Sequence, residues 1–371
     1  MGNQIAFFEY QQNIFPRRVI KVRKSPQIES SFATRLLIWF DQHGRKELPW
    51  QTNINPYRVW VSEVMLQQTQ VKTAIPYYER FLNTFPTLEA LAAANEDQVL
   101  HRWTGLGYYA RGRNLLKAAK QIMIRHEGKV PLTINELCNL PGIGRSTAGA
   151  IVAICTNQYA VILDGNVKRI LTRYLAIGGW PGNSGIMNIL WKEAEALTPR
   201  NRVADYTQAI MDLGATLCRR TKPKCHVCPL NTDCQALLSD TIDLYPEKKP
   251  KKKLPVRETC FLVITDNNGQ IMLEKRPPSG LWGGLWSFPE TTWQNIELSL
   301  RVLSVKPLST RALKSFRHTF SHFHLEITPI HIQTQANKVN VKIPNINWYR
   351  LEDTPAIGLT RPVTRILENL R

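Results

Sequence analysis

The sequence has no run approaching the roughly 18 consecutive apolar residues that a membrane-spanning helix needs, so no membrane association is expected. Its first residues, MGNQIAFFEYQQNIFPRRV, bring glutamines and charge too early to leave the apolar core of a secretion signal. Acidic side chains are scarce: 29 Asp and Glu stand against 48 Lys and Arg, giving a formal charge of +19. An excess of that size points to a polyanionic partner. Nucleic acid fits best, because the basic residues are interleaved with aromatic and Gly-rich segments that could meet a duplex. Cysteine is sparse too, with seven in the chain, and Cys138, Cys155 and Cys260 are scattered. That distribution argues against a disulfide framework and fits a reducing compartment, the cytoplasm. Strand signals are nearly absent before Cys234, which excludes a sheet-based first half.

What the sequence does have is four cysteines in one stretch, CRRTKPKCHVCPLNTDC, where Cys218, Cys225, Cys228 and Cys234 are separated by six, two and five residues. Thiolates so clustered suit a soft centre, either tetrahedral Zn²⁺ or a [4Fe-4S] cluster. Zinc sites usually use two short Cys pairs and only one is present, so the spacing leans toward iron-sulfur and leaves zinc open.

The length of 371 residues allows two domains, each with its own core. Residues 1–30 carry Arg17, Arg18, Lys21, Arg23 and Lys24 without any period and read as a poorly ordered basic extension. From Ser31 helical spacing dominates, beginning with Phe32, Leu36, Leu37 and Phe40. Further helices are expected at 59–71, 88–103, 111–125, 134–140, 147–154, 167–174, 187–197 and 206–217, so residues 31–235 form an all-α domain. The prolines and lysines of YPEKKPKKKLPVRE mark a linker, taken as 236–257. Composition then turns β-prone. A hairpin is expected from 259–265 and 270–275 around an Asp-Asn-Asn-Gly turn, with strands at 315–319, 323–332 and 346–351 and a closing helix at 362–370. Residues 258–371 are therefore α+β.

Three segments could carry chemistry. In ELCNLPGIGRSTAGAI, Gly142 and Gly144 let the backbone turn tightly between two helices, and the amides entering the second helix form a phosphate-binding nest. This is the hairpin of a helix-hairpin-helix element, unless it is an ordinary glycine turn; such a hairpin grips the DNA backbone and reads no sequence. In AVILDGNVKRIL, Asp164 follows an apolar run and precedes a helix. Asp164 is first of all an N-cap, but a helix N-terminus also holds a carboxylate ionised and fixed. In PYRVWVSEVMLQQTQV, Glu63 lies among Trp60, Val61, Val64 and Leu66. It is either a solvated residue on a stripe with Gln67 and Gln70 or a half-buried acid whose pKa rises toward neutrality. One protonated and one ionised carboxylate are what glycosidic cleavage through an oxocarbenium-like state requires, if the fold brings Glu63 and Asp164 together.

Together these residues resemble the MutY family of adenine DNA glycosylases, within the endonuclease III superfamily. The resemblance runs from about Phe32 to the C-terminus on LPW at 48–50, VSEVMLQQTQV, WTGLGYYARGRNL at 103–115, LPGIGRSTAGAI, LDGNVKR and the four cysteines. It implies one [4Fe-4S] cluster on those cysteines, shaping a DNA-contacting loop with Arg219, Arg220, Lys222 and Lys224. It implies Glu63 as the acid that protonates a flipped adenine at N7 and then assists water. Asp164 would stabilise the cationic sugar and Asn166 would orient the site. Trp50, Leu66 and Gln208 match adenine-pocket positions; Gln68 and Tyr108 match residues that push into the base stack.

Relatives that also cut the strand use a Lys where this chain has Ser146, so a monofunctional enzyme is expected. The second domain resembles the MutT-like, or Nudix, fold in RPPSGLWGGLWSFPE, yet TTWQNIELSLRVLSV lacks the acidic cluster that holds Mg²⁺ in the hydrolases. In the family this domain recognises 8-oxoguanine with a Phe-Ser-His motif, here Phe320, Ser321 and His322. Lys46, Gln51 and Ser146 depart from residues that some relatives carry. The expected substrate is double-stranded DNA with adenine opposite 8-oxoguanine or guanine, bound by a monomer in the cytoplasm, or at the nucleoid of a bacterium. Alternatives are a bifunctional endonuclease III-like enzyme for oxidised pyrimidines, a nucleotide-pool hydrolase and a silent DNA-binding protein. Ser146, the missing acidic helix and the retained acid pair count against them in turn. The cysteine cluster, apart in sequence from the bond-breaking motifs, is expected to close the helical domain and dock on DNA.

Overall fold

A computed structural model describes residues 26–250, 253–336, 344–351 and 356–370, with side chains from Phe32 onward. Most of the basic extension therefore lies outside the described residues. The first helix already runs from Pro26 to His43 (α1).

The helical domain continues with α2 (Pro56–Leu66), α3 (Val71–Thr84), α4 (Leu88–Ala93), α5 (Glu96–Trp103) and α6 (Ala110–Arg125). Then come α7 (Ile134–Cys138), α8 (Arg145–Thr156), α9 (Gly165–Tyr174), α10 (Ser184–Leu197) and α11 (Val203–Thr216). Local sequence explains the boundaries. Asn55 accepts a hydrogen bond from the Arg58 amide and Pro56 opens α2. A capping box of Asn95 and Gln98 starts α5, which splits the single helix expected at 88–103. The expected helix 59–71 also divides. α2 stops at Leu66, Gln68 turns at φ +57°, and α3 begins at Val71. Pro76 inside α3 blurred its signal, since proline removes a helical hydrogen bond.

One core joins these helices, with Phe32, Trp60, Tyr78, Phe81 and Trp103 fully buried or nearly so. α8 sits at its centre, against α2, α7 and α11. After the last cysteine, α12 (Gln235–Leu238) packs back onto α9, with Ala236 fully buried. Arg173 Nε donates to the Tyr245 carbonyl at 3.0 Å, so residues up to Tyr245 are seated on the helical domain although their composition reads as linker.

The second domain is built on β1 (Val256–Asp266) and β2 (Gln270–Lys275), then β3 (Trp286–Ser287) and β4 (Glu290–Thr291). It continues with α13 (Ile296–Val302), β5 (Pro307–Ala312), β6 (Phe316–Thr319), β7 (His324–Thr334), β8 (Ile346–Arg350) and α14 (Arg361–Leu370). The sheet order is β3-β2-β1-β7-β5, with β4 on β1, β6 on β7 and β8 on β2. β1 and β7 run parallel along their whole length, from Val256 opposite His324 to Asp266 opposite Thr334. Alternate residues of β1 feed two cores: Phe261 and Val263 face α14, while Cys260, Leu262 and Ile264 face α13. β5 escaped the sequence reading because all six of its residues are exposed, leaving no alternation to see.

Candidate active site and cysteine cluster

Delivery of the acid pair begins with small residues on α8. A Cβ at Gly149 would lie 2.3 Å from the Val161 carbonyl oxygen, so only glycine lets the buried segment 160–163 cross this helix. The Ser146 hydroxyl accepts from the Leu163 amide at 2.9 Å and pins that segment to the start of α8. Asp164 follows at once as the N-cap of α9. Its Oδ1 accepts from the Val167 amide at 2.8 Å and its Oδ2 from Asn166 Nδ2 at 3.3 Å. From the other side α2 packs on α8, tied by Gln67 Nε2 donating to Thr147 Oγ1 at 3.2 Å.

This arrangement sets Glu63 of α2 near Asp164. Burial pushes the Glu63 carboxyl up to about 8, and the negative charge of Asp164 adds to the rise. Burial raises Asp164 as well, but the Val167 and Asn166 amides and the Arg169 and Lys168 cations oppose it. The first proton to leave the pair therefore leaves Asp164, and Glu63 remains the acid. Cys155 on α8 shares the setting: burial first and then Glu63 push its thiol up to about 11. Nothing in the sequence marked Cys155, which has no motif around it.

Of the three expected pocket residues, two meet. Trp50 and Gln208 line one cavity of about 210 Å³ together with Gln51 and with Val59 and Ser62, on the helix of Glu63. Gln51 Nε2 donates to Gln208 Oε1 at 3.4 Å. Leu66, by contrast, packs partly buried against the core and does not line that cavity.

The hairpin joins α7 to α8 as expected. Gly142 turns at φ +81°, where a Cβ would also press to 2.8 Å from Asn114 Cβ. Gly144 caps α8 with open space around it and without any side-chain cap, so the first amides of α8 face outward.

Gln68 and Tyr108 are exposed at the tips of two neighbouring loops, both with left-handed backbone, φ +57° and +48°. What unites these loops is Arg111, which sequence reasoning missed. Its buried guanidinium donates to the carbonyls of Val64, Met65 and Gln67 on one side, and to those of Leu106 and Gly107 and the Thr69 hydroxyl on the other. Burial lowers the Arg111 pKa to about 10, a cost that these acceptors offset. Only its place in the WTGLGYYARGRNL run could have drawn attention to it.

In the second domain, Phe320, Ser321 and His322 occupy the bend between β6 and β7, closed by the Phe320 amide donating to the Phe323 carbonyl at 2.9 Å. Phe320 stacks on Phe323 with centroids 4.7 Å apart and meets Trp282 at 5.1 Å. Ser321 and His322 are left exposed.

Two family descriptions match the chain: HhH-GPD superfamily base excision DNA repair protein over residues 61–196, and NUDIX domain over 260–369. The adenine DNA glycosylase of Buchnera aphidicola subsp. Acyrthosiphon pisum is 42% identical, with 92% of this chain and 97% of that one aligned. The human adenine DNA glycosylase is 34% identical over 91% of this chain and 73% of its own. The chain belongs to the MutY family of adenine DNA glycosylases. Its helical domain has the fold of a thermostable thymine-DNA glycosylase (23% identity, TM-score 0.52, 57% of this chain and 98% of that one). A non-covalent endonuclease III–DNA complex is similar in fold (20%, 0.51, 59% and 99%). In this MutY-family chain the fold class is thus an all-α helix-hairpin-helix domain followed by an α+β Nudix-like domain.

The four cysteines of this family member gather after α11. Cys218, Cys225, Cys228 and Cys234 line one cavity of about 30 Å³, walled by Leu213, Leu217 and Leu230. Among the described residues no three His, Cys, Asp or Glu side chains converge to hold a single metal ion, and four thiols around one cavity are a donor set that either Zn²⁺ or an iron-sulfur cluster accepts. Burial pushes the Cys228 thiol up to about 12, so the positive charge of a bound metal centre would be needed to keep it a thiolate. Arg219, Arg220, Lys222 and Lys224 are all exposed on the same loop.

The cysteine loop, apart in sequence from the bond-breaking motifs, is joined to one of them by hydrogen bonds through α9. Arg169 of α9 donates through Nε to the Cys218 carbonyl at 2.7 Å and through Nη2 to Asn166 Oδ1 at 2.8 Å. Asn166 in turn donates to Asp164, so one turn of helix links the cysteine loop to the carboxylate. Proximity in the fold, invisible to spacing, comes from α9 running alongside the loop.

Proposed function

We propose that this MutY-family protein flips adenine out of double-stranded DNA and hydrolyses its N-glycosidic bond, acting on adenine paired with 8-oxoguanine or with guanine. The observation that carries the reading is the pair of unequal carboxylates, with Glu63 held as an acid up to about pH 8 beside an Asp164 that ionises first. Protonated Glu63 donates to N7 of the extruded base. The C–N bond then breaks with its electrons leaving on adenine, and ionised Asp164 stabilises the oxocarbenium-like sugar. Water adds to the sugar carbon and gives its proton to the Glu63 carboxylate, which restores the acid. Asn166 holds the Asp164 carboxylate in place. Trp50 and Gln208 form the walls that receive the base, while Gln68 and Tyr108 fill the space it leaves in the stack.

Ser146 supplies no amine, and its hydroxyl is already engaged by the Leu163 amide, so the chemistry stops at the abasic site. The exposed Ser321 and His322 read the base opposite. A [4Fe-4S] cluster held by Cys218, Cys225, Cys228 and Cys234 would cross-link the loop that carries four exposed basic residues; the reaction does not pass through it. The test is single-turnover release of adenine from a duplex with adenine opposite 8-oxoguanine, by the parent protein and by Glu63→Gln. The parent releases adenine. Glu63→Gln binds the duplex but is slower by about 10³-fold, within the range of general acid catalysis. Equal rates would refute the assignment.

A further inference from the structure

The two domains touch along a built surface rather than only through the linker. Asp97, in the first turn of α5, accepts two hydrogen bonds from the second domain: Lys275 Nζ at 2.8 Å on Oδ2 and Trp286 Nε1 at 3.0 Å on Oδ1. Around this point His101 Nδ1 lies 3.3 Å from the Ile357 carbonyl, and Tyr109 donates to the Leu359 carbonyl at 3.4 Å. Arg113 of α6 donates to the Gly283 carbonyl. The partners in the second domain form one platform, because the Trp286 amide donates to the Gly358 carbonyl at 2.8 Å. Approach is close enough to demand glycine. A Cβ at Gly358 would lie 2.6 Å from Leu100 Cβ, while Gly284, beside the flexible end of the Glu96 side chain, is required by its φ of +74°.

Each side of this surface leads directly to a DNA-reading element. Tyr109 follows Tyr108, the stack-filling residue. Gly283 follows Trp282, whose ring packs on Phe320 at 5.1 Å and on His318 at 5.5 Å. We propose that Asp97 is a positioning residue: by seating the second domain on α5 and α6 it fixes the distance between the Phe320–Ser321–His322 bend and Tyr108. Recognition of the opposite base and extrusion of adenine then occur in one register. This rests on the proposed reading of 8-oxoguanine by that bend. An acid in the first turn of a helix would in any case favour the helix dipole, but a dipole role requires neither Lys275 nor Trp286.

The experiment compares parent, Asp97→Asn, Lys275→Met and the double variant with Ser321→Ala, measuring single-turnover rates on duplexes with adenine opposite 8-oxoguanine and opposite guanine. In Asp97→Asn and Lys275→Met the ratio of the two rates falls by about fivefold or more, the scale of coupling between sites, while the guanine rate is unchanged. The double variant is no worse than either single one, because the three break one contact. A lower ratio in Ser321→Ala alone overturns the role of Asp97 and leaves the bend's role standing. An equal loss on both substrates marks a merely structural contact and also overturns it. A parent without preference between the substrates overturns the reading beneath it.

Discussion

The acid pair of the helical domain and the Phe-Ser-His bend of the sheet domain solve opposite problems. Glu63 and Asp164 are partly buried, and their protonation is set by what surrounds them: burial for one, two donors and two cations against burial for the other. Ser321 and His322 lie in the open, and what is buried is their backing, Phe323, against which Phe320 stacks. On the proposed function, chemistry needs a perturbed proton, so its groups are partly buried. Recognition needs reach, so its groups are exposed on a stiff support.

That contrast can be broken deliberately. Arg111→Met would remove the donor to six acceptors beneath the Gln68 and Tyr108 loops, so a loss of about 3 kcal/mol is expected in chemical denaturation. An unchanged midpoint would mean that the loops hold themselves. Next in size is the pH profile. With Glu63 raised to about 8 its acid form prevails at neutral pH, so the single-turnover rate falls as pH rises through about 8. The linked effect on stability has the same sign. Relative to an unfolded chain in which Glu63 titrates near 4.5, the folded state binds the extra proton, and this advantage is lost as pH climbs from 4.5 to about 8. Glu63→Gln should therefore gain stability against the parent over that interval; parallel melting curves would contradict the buried acid. The smallest effect is expected at the exposed bend. Ser321→Ala removes one hydrogen-bonding group, worth about 1 kcal/mol, and so lowers the 8-oxoguanine preference about fivefold.

Legibility in the sequence followed the same division. Asp164 was readable because a lone acid between an apolar run and a helix has a local signature, and the structure gives it the N-cap role expected. Glu63 was readable only as two alternatives, since a helix shows its own faces but not what will pack on them; the packing of α2 on α8 decides for burial. The hairpin glycines announced themselves through backbone demands. Arg111, Cys155 and Arg169 did not, because their roles depend on segments brought close only by folding. α3 was hidden by its proline and β5 by its uniform exposure. Asp97 was invisible for the strongest reason: its partners lie 178 and 189 residues away.

The central claim is that this enzyme removes an intact adenine and leaves the strand whole. The most direct measurement is a glycosylase assay on a duplex with adenine opposite 8-oxoguanine, resolved on a denaturing gel with and without alkali. Strand breaks that appear only after alkali are the predicted result. Breaks without alkali would contradict the monofunctional chemistry, and no breaks under either condition would contradict the account as a whole.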